Sequence, residues 1–135
     1  MHRAVRFVLL VPLLTLALSG QDLETNEFFE EKVRPILAEK CQACHNSNLK
    51  TAGLDLSDAE GFMRGGQNGP IISNEVPEKS RLLEVVNYQG RIKMPPSDKL
   101  DEQEIAFLTD WVGSGAPWPG AQPTVDRRET GLRVF

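Results

Sequence analysis

The first group of apolar positions, residues 7–18, is nearly continuous (Phe-Val-Leu-Leu-Val-Pro-Leu-Leu-Thr-Leu-Ala-Leu), broken only by Pro12 and Thr15. That length matches the h-region of a secretory leader and falls short of the roughly 20 residues needed to span a bilayer. His2, Arg3 and Arg6 precede it, and Ala17-Leu18-Ser19 follows with small residues at an Ala-x-Ala-like spacing. The pattern predicts a signal peptide over residues 1–20, cleaved after Ser19 or Gly20. It also predicts a periplasmic or otherwise exported product. No second run of this kind follows, so no stable membrane span is expected after leader cleavage.

Beyond the leader the apolar positions become periodic. Phe28, Phe29, Val33, Ile36 and Leu37 recur at helical spacing and predict an amphipathic helix over 26–40, with Pro35 either kinking it or starting its second segment. Ser57-x-x-Glu60 reads as the cap of a short helix. Gly65, Gly66, Gly69 and Pro70 mark a loop. A further helix is expected from Pro77, carrying Leu82, Leu83, Val85 and Val86 inward and stopping before Gly90. The clearest start signal is Asp101, with Glu104 completing a capping box and Leu100 and Ile105 placed as a hydrophobic staple. This last helix presents Ile105, Leu108, Trp111 and Val112, and ends at Gly113 and Gly115. The fold class that follows is a small all-α domain over 21–119, preceded by the leader and followed by a flexible C-terminal tail over 120–135.

Composition changes this picture in two ways. The chain has 135 residues, enough for one domain, and its 40% apolar average is inflated by the leader. Six Phe, two Trp and one Tyr are present, and Phe7 leaves with the leader, so the core is thin for its size. Net charge is −4, falling to −6 once Arg3 and Arg6 are removed, which argues against nucleic acid as a partner.

The candidate chemistry lies in Lys40-Cys41-Gln42-Ala43-Cys44-His45. A disulfide closing so short a loop constrains the unfolded chain very little. A structural zinc site takes four nitrogen or sulfur ligands, and the chain after the leader offers only Cys41, Cys44 and His45. Cys-x-x-Cys-His as the attachment signature of c-type haem uses all three: each thiol forms a thioether with the porphyrin, and the adjacent imidazole is held against the iron. His2, the other histidine, leaves with the leader, so a second histidine ligand from this chain is not expected. For the opposite axial position the candidates are Met63, more in keeping with gap-filling core, and Met94. In Lys93-Met94-Pro95-Pro96 the two prolines remove amide donors and stiffen an extended loop, a setting suited to a ligand held against a metal. Trp111 reads as core or as a contact to the haem edge. No acid, base or nucleophile constellation stands out, so no enzymatic activity is expected.

Arg34-Pro35-Ile36-Leu37, Cys41-x-x-Cys44-His45, Gly53-Leu54-x-Leu56, Gly65-Gly66-x-x-Gly69-Pro70, Met94-Pro95-Pro96 and Trp111 with Gly115-Ala116-Pro117 together resemble the Planctomycete-type cytochrome c domain across residues 27–119. The resemblance implies a cytochrome c-like helical fold wrapped around one haem c. It also implies attachment through Cys41 and Cys44, with iron between His45 and Met94. The function expected from this is one-electron transfer with periplasmic redox proteins. The alternatives are a haem sensor or peroxidase-like enzyme in which Met94 detaches to admit a small ligand, and a docking module. In that family the domain commonly fronts a longer exported protein, and the end of this chain, Thr130 to Phe135, turns apolar again. Both a stand-alone carrier and the front part of a longer protein fit that ending. Because the porphyrin would supply the apolar centre that the side chains lack, the haem-free chain is expected to fold poorly.

Overall fold

A computed structural model of the chain describes residues 20–121. The predicted signal peptide, Gly20 apart, and nearly all of the predicted C-terminal tail therefore lie outside the described residues. Among those described there are helices and turns but no strand, and one isolated bridge pairs Gly66 with Gly69. No described helix is long and apolar enough to cross a membrane.

The chain enters through an unbroken helical stretch that starts earlier than its apolar stripe. It comprises α1 (Gly20–Phe28), a π-helical turn (Phe29–Val33), α2 (Arg34–Ile36) and a second π-helical turn (Leu37–Cys41). Pro35 does not break it. A proline has no amide to donate, and its ring collides with the carbonyl four residues earlier in a regular α-helix. The wider turn just ahead of it, in which the Arg34 N–H donates to the Phe29 carbonyl, accommodates this residue. The second wide turn closes with the Gln42 N–H donating to the Leu37 carbonyl at 2.9 Å and delivers the chain to Cys41. Phe29, Val33, Ile36 and Leu37 are all buried, as their spacing predicts.

Three shorter helices complete the domain: α3 (Ala59–Arg64), α4 (Arg81–Val86) and α5 (Glu102–Gly113). Two of their starts differ from the expected ones. Asp58, not Ser57, caps α3: its backbone is extended and its carboxylate accepts from the Gly61 N–H, whereas the Ser57 hydroxyl donates to Asp55. Pro77 opens only a 3₁₀ turn (Pro77–Lys79), and α4 begins after Ser80, whose ψ of 133° interrupts the helical backbone. The buried Ser80 hydroxyl accepts the Ser73 N–H, tying the preceding loop to this break. The start of α5 is as predicted, with both halves of the Asp101–Glu104 capping box formed.

The core is held by four aromatic rings from three helices and the segment after α5. Phe29 lies 5.6 Å from Trp111 and 4.8 Å from Trp118. Phe62 lies 5.1 and 5.2 Å from the same two rings, all within the range of favourable ring contacts. The Trp111 indole N–H donates to the Pro117 carbonyl at 2.8 Å, which folds the chain after α5 back over the cluster. Trp111 is thus a core residue. Leu56, Leu82, Leu83, Val86, Leu100, Leu108 and Val112 extend the core around these rings.

Trp111→Ala is expected to cost roughly 3–5 kcal/mol by leaving a cavity among three rings. Asp101→Ala should cost about 1 kcal/mol through the lost cap. Urea unfolding followed by far-UV circular dichroism separates the two.

Candidate functional site

The Cys41–His45 run forms a tight turn on the end of the first helical stretch, in which the Cys44 and His45 N–H groups both donate to the Cys41 carbonyl. The turn is secured to its surroundings from three directions. The Gln42 amide donates to the Leu56 carbonyl at 2.7 Å, the Leu56 N–H to the His45 carbonyl at 2.9 Å, and the Thr51 N–H to the Cys44 carbonyl at 3.1 Å. Asn46 organises the loop that follows: its amide donates to the Gln42 carbonyl, and its side-chain oxygen accepts from the Asn48 and Leu49 N–H groups.

This loop exists to bring one carbonyl back to the histidine. His45 is buried, and its Nδ1 lies 3.0 Å from the Thr51 carbonyl oxygen. A carbonyl oxygen only accepts, so Nδ1 carries the proton in the neutral ring, and Nε2 keeps its lone pair with no partner among the described residues. Ligating histidines usually have this arrangement, one nitrogen donating to a carbonyl while the other is presented to a metal. Thr51 is held by Lys50 and Ala52, both with left-handed backbone (φ 42° and 56°), a conformation costing roughly 1–2 kcal/mol for a residue with a Cβ. Such conformations cluster at functional sites.

Beside the loop sits Asp55, buried, accepting from the Ser57 hydroxyl and N–H and lying 3.9 Å from Lys50. The Ser57 hydroxyl and N–H hold its carboxyl below the usual value, with smaller contributions from Lys50 and Arg64.

His45 lines a largely apolar cleft with Leu54, Ile71, Leu82, Val85, Ile92 and Met94. The chain brings two of the sequence-predicted residues to it, His45 and Met94, which both line the cleft. Met63 lines a separate groove and is 45% exposed, so it is neither core nor part of this cleft. The Met94 loop is anchored to α4 twice. The Met94 N–H donates to the Val85 carbonyl at 3.1 Å, and the Tyr88 hydroxyl donates to the Pro95 carbonyl. Tyr88 was not singled out in the sequence. It adopts a left-handed backbone (φ 62°) after α4, and neither that nor its bond to the loop leaves a local signature.

A glycine turn forms another side of the cleft. The Gly66 N–H donates to the Gly69 carbonyl at 3.1 Å and the Gln67 N–H to the Ala52 carbonyl at 2.8 Å, which locks the turn onto the histidine loop. Gly65 has φ 73°, and a Cβ there would lie 2.3 Å from the Gly69 oxygen. The cleft encloses about 110 Å³ and opens to solvent. Cofactor pockets are typically about 300–1,000 Å³, so the cleft is smaller than a typical cofactor pocket.

Cys41 and Cys44 are unbridged thiols and do not line the cleft. Cys41 is half-buried against the core, and burial, with the nearby Glu104 carboxylate, pushes its thiol up to about 11. Cys44 is exposed. Among the described residues no group of three or more His, Cys, Asp or Glu side chains gathers to hold a metal ion.

Residues 41–98 match the family described as Planctomycete cytochrome C. The matched stretch starts at Cys41 and runs past Met94 and its two prolines, and it supports a Planctomycete-type cytochrome c domain over those residues. No curated protein and no solved structure matches the chain.

Gly65→Ala should destabilise the chain by about 1–3 kcal/mol, since the backbone conformation and the close Gly69 carbonyl both oppose a Cβ. Tyr88→Phe, which removes one bond to the Met94 loop, should cost about 1 kcal/mol in the same urea titration. Asp55 has its carboxyl lowered in the folded chain, so its contribution is present above about pH 4 and is lost as pH falls further. The stability difference between the natural chain and Ser57→Ala should therefore hold steady near neutral pH and shrink below about pH 4.

Proposed function

We propose that this chain is an exported mono-haem c-type cytochrome that carries single electrons and has no catalytic activity of its own. The observation that carries the reading is the state of His45: buried, Nδ1–H committed to the Thr51 carbonyl, Nε2 uncommitted, on the same apolar cleft as the Met94 thioether. These residues suit haem c. Two unbridged cysteines stand three positions apart immediately before the histidine, and a residue with a soft sulfur donor, Met94, lines the same cleft.

In this reading Cys41 and Cys44 would tether the group covalently, and His45 and Met94 would hold its iron. The bound haem supplies a one-electron ferric/ferrous couple, whose potential is raised by methionine as axial ligand. The Thr51 carbonyl fixes the tautomer and orientation of His45. Val85 and Tyr88 hold the Met94 loop in position. Leu54, Ile71, Leu82 and Val85 give the cleft an apolar lining, and a less polar surrounding would also tune the couple. If His45 and Met94 both held the iron, no position on it would be left for a substrate, which favours electron transfer over turnover. The partners in this reading are periplasmic redox proteins.

The reduced pyridine haemochrome spectrum and intact mass of the exported protein should give one haem c per chain and loss of the leader. Met94→Ala should keep the haem covalently attached while abolishing the absorption band of methionine bound to ferric iron. Persistence of that band in the variant, or rapid carbon monoxide binding by the natural ferrous protein at neutral pH, would overturn the ligand assignment.

A further inference from the structure

The charges of this acidic chain are distributed unevenly around the Met94 cleft. Every described cation before Lys79 is in an ion pair: Lys32 with Glu31, Arg34 with Glu30, Lys40 with Glu104, Lys50 with Asp55 and Arg64 with Glu60. From the start of α4 onwards the pattern reverses. Arg81, Arg91, Lys93 and Lys99 are all exposed, and none has an ion-pair partner among the described residues. The two acids of the same segment, Glu84 and Asp98, are exposed and form no ion pair either.

These cations lie on the segment that carries Ile92 and Met94 to the cleft. Arg81 lines it, and Arg91 and Lys93 flank Ile92, which also lines it and is 49% exposed. Lys93 and Lys99 both lie over the Tyr88 ring, with Nζ 5.5 and 5.9 Å from its centroid. The result is an exposed apolar residue with a cationic rim, on a chain whose net charge is −4. A patch with an apolar centre and a charged rim of one sign is the form of a transient protein interface, in which the charges steer encounter and set orientation.

We infer that the rim of Arg81, Arg91, Lys93 and Lys99 around Ile92 is the docking surface for a redox partner that presents carboxylates. The inference rests on the proposed haem reading of the same cleft: electrons would cross at this mouth, by the Met94 loop. Single unpaired cations on a surface are commonly no more than solvated side chains. Here all four occur in one segment beside the cleft, while the described cations before Lys79 are in ion pairs.

The test exploits the opposition between local and net charge. The holoprotein, with its haem content established by pyridine haemochrome, is reduced and mixed with hexacyanoferrate(III) in a stopped-flow instrument. One electron passes from ferrous protein to the anion, giving ferric protein and hexacyanoferrate(II). If the cationic rim governs the encounter, the second-order rate falls roughly tenfold between 10 mM and 300 mM salt, because screening removes an attraction. With tris(phenanthroline)cobalt(III), a cationic oxidant, the rate should rise over the same range. Arg91→Glu and Lys93→Glu, both at exposed positions, should each weaken the salt dependence with the anion, and together reverse its sign. A natural-protein rate with the anion that rises with salt, as net charge alone dictates, overturns the inference. So does a salt dependence that neither variant alters. Absence of haem is a separate failure, that of the proposed function, and appears in the haemochrome spectrum before any kinetic trace.

Discussion

The hydrogen bond from His45 Nδ1–H to the Thr51 carbonyl is the constraint around which this small domain is arranged. To make it, the chain leaves the first helical stretch in a tight turn, winds residues 46–50 around the Asn46 side chain, and takes two left-handed residues on either side of Thr51. The same loop then serves as a platform. Ala52 accepts the Gln67 N–H and so fixes the glycine turn, while Leu54 and Leu56 turn into the cleft and the core. A histidine whose orientation is set by a carbonyl has less freedom to lose on binding a metal. Removing outer partners of this kind typically lowers metal affinity by about 10–100-fold.

The Met94 side of the cleft is built on a different principle. Pro95 and Pro96 give the Met94 loop no amides of their own there, so the loop is fixed through Met94 itself and through Tyr88, both anchored to α4 or the residues just after it. α4 is in turn tied to the segment crossing beneath it, by the Leu82 N–H to the Ile71 carbonyl and by Ser80 to Ser73. The aromatic cluster of Phe29, Phe62, Trp111 and Trp118 lies away from the cleft. The apolar side chains are therefore divided between a packed aromatic core and the lining of a cleft. That division explains why so lean a chain has few large side chains left to close the cleft by itself.

Much of this architecture was legible in the sequence because it rests on local rules. The Asp101–Glu104 box, the buried spacing of Phe29, Val33, Ile36 and Leu37, and the Met-Pro-Pro loop each follow from a few neighbouring residues. Legibility failed where non-local contacts decide. Ser57 and Asp58 are both good caps, and only the demand of Asp55 for the Ser57 hydroxyl settles which one caps α3. Pro77 suits a helix start, but the break comes at Ser80, whose hydroxyl is taken by the preceding loop. Lys50, Ala52 and Tyr88 adopt left-handed backbone without being glycine or asparagine, so nothing in their identity announces it. Cys41, Cys44, His45 and Met94 were readable as a motif, whereas the partner that orients His45 was not. A backbone carbonyl has no sequence signature.

The central claim is that His45 and Met94 face each other across one iron. Iron K-edge X-ray absorption on the ferrous holoprotein tests it most directly. The account predicts five nitrogen scatterers and one sulfur in the first coordination shell, with the sulfur lost in Met94→Ala. A shell of six nitrogens, or a five-coordinate iron without sulfur in the natural protein, would contradict it.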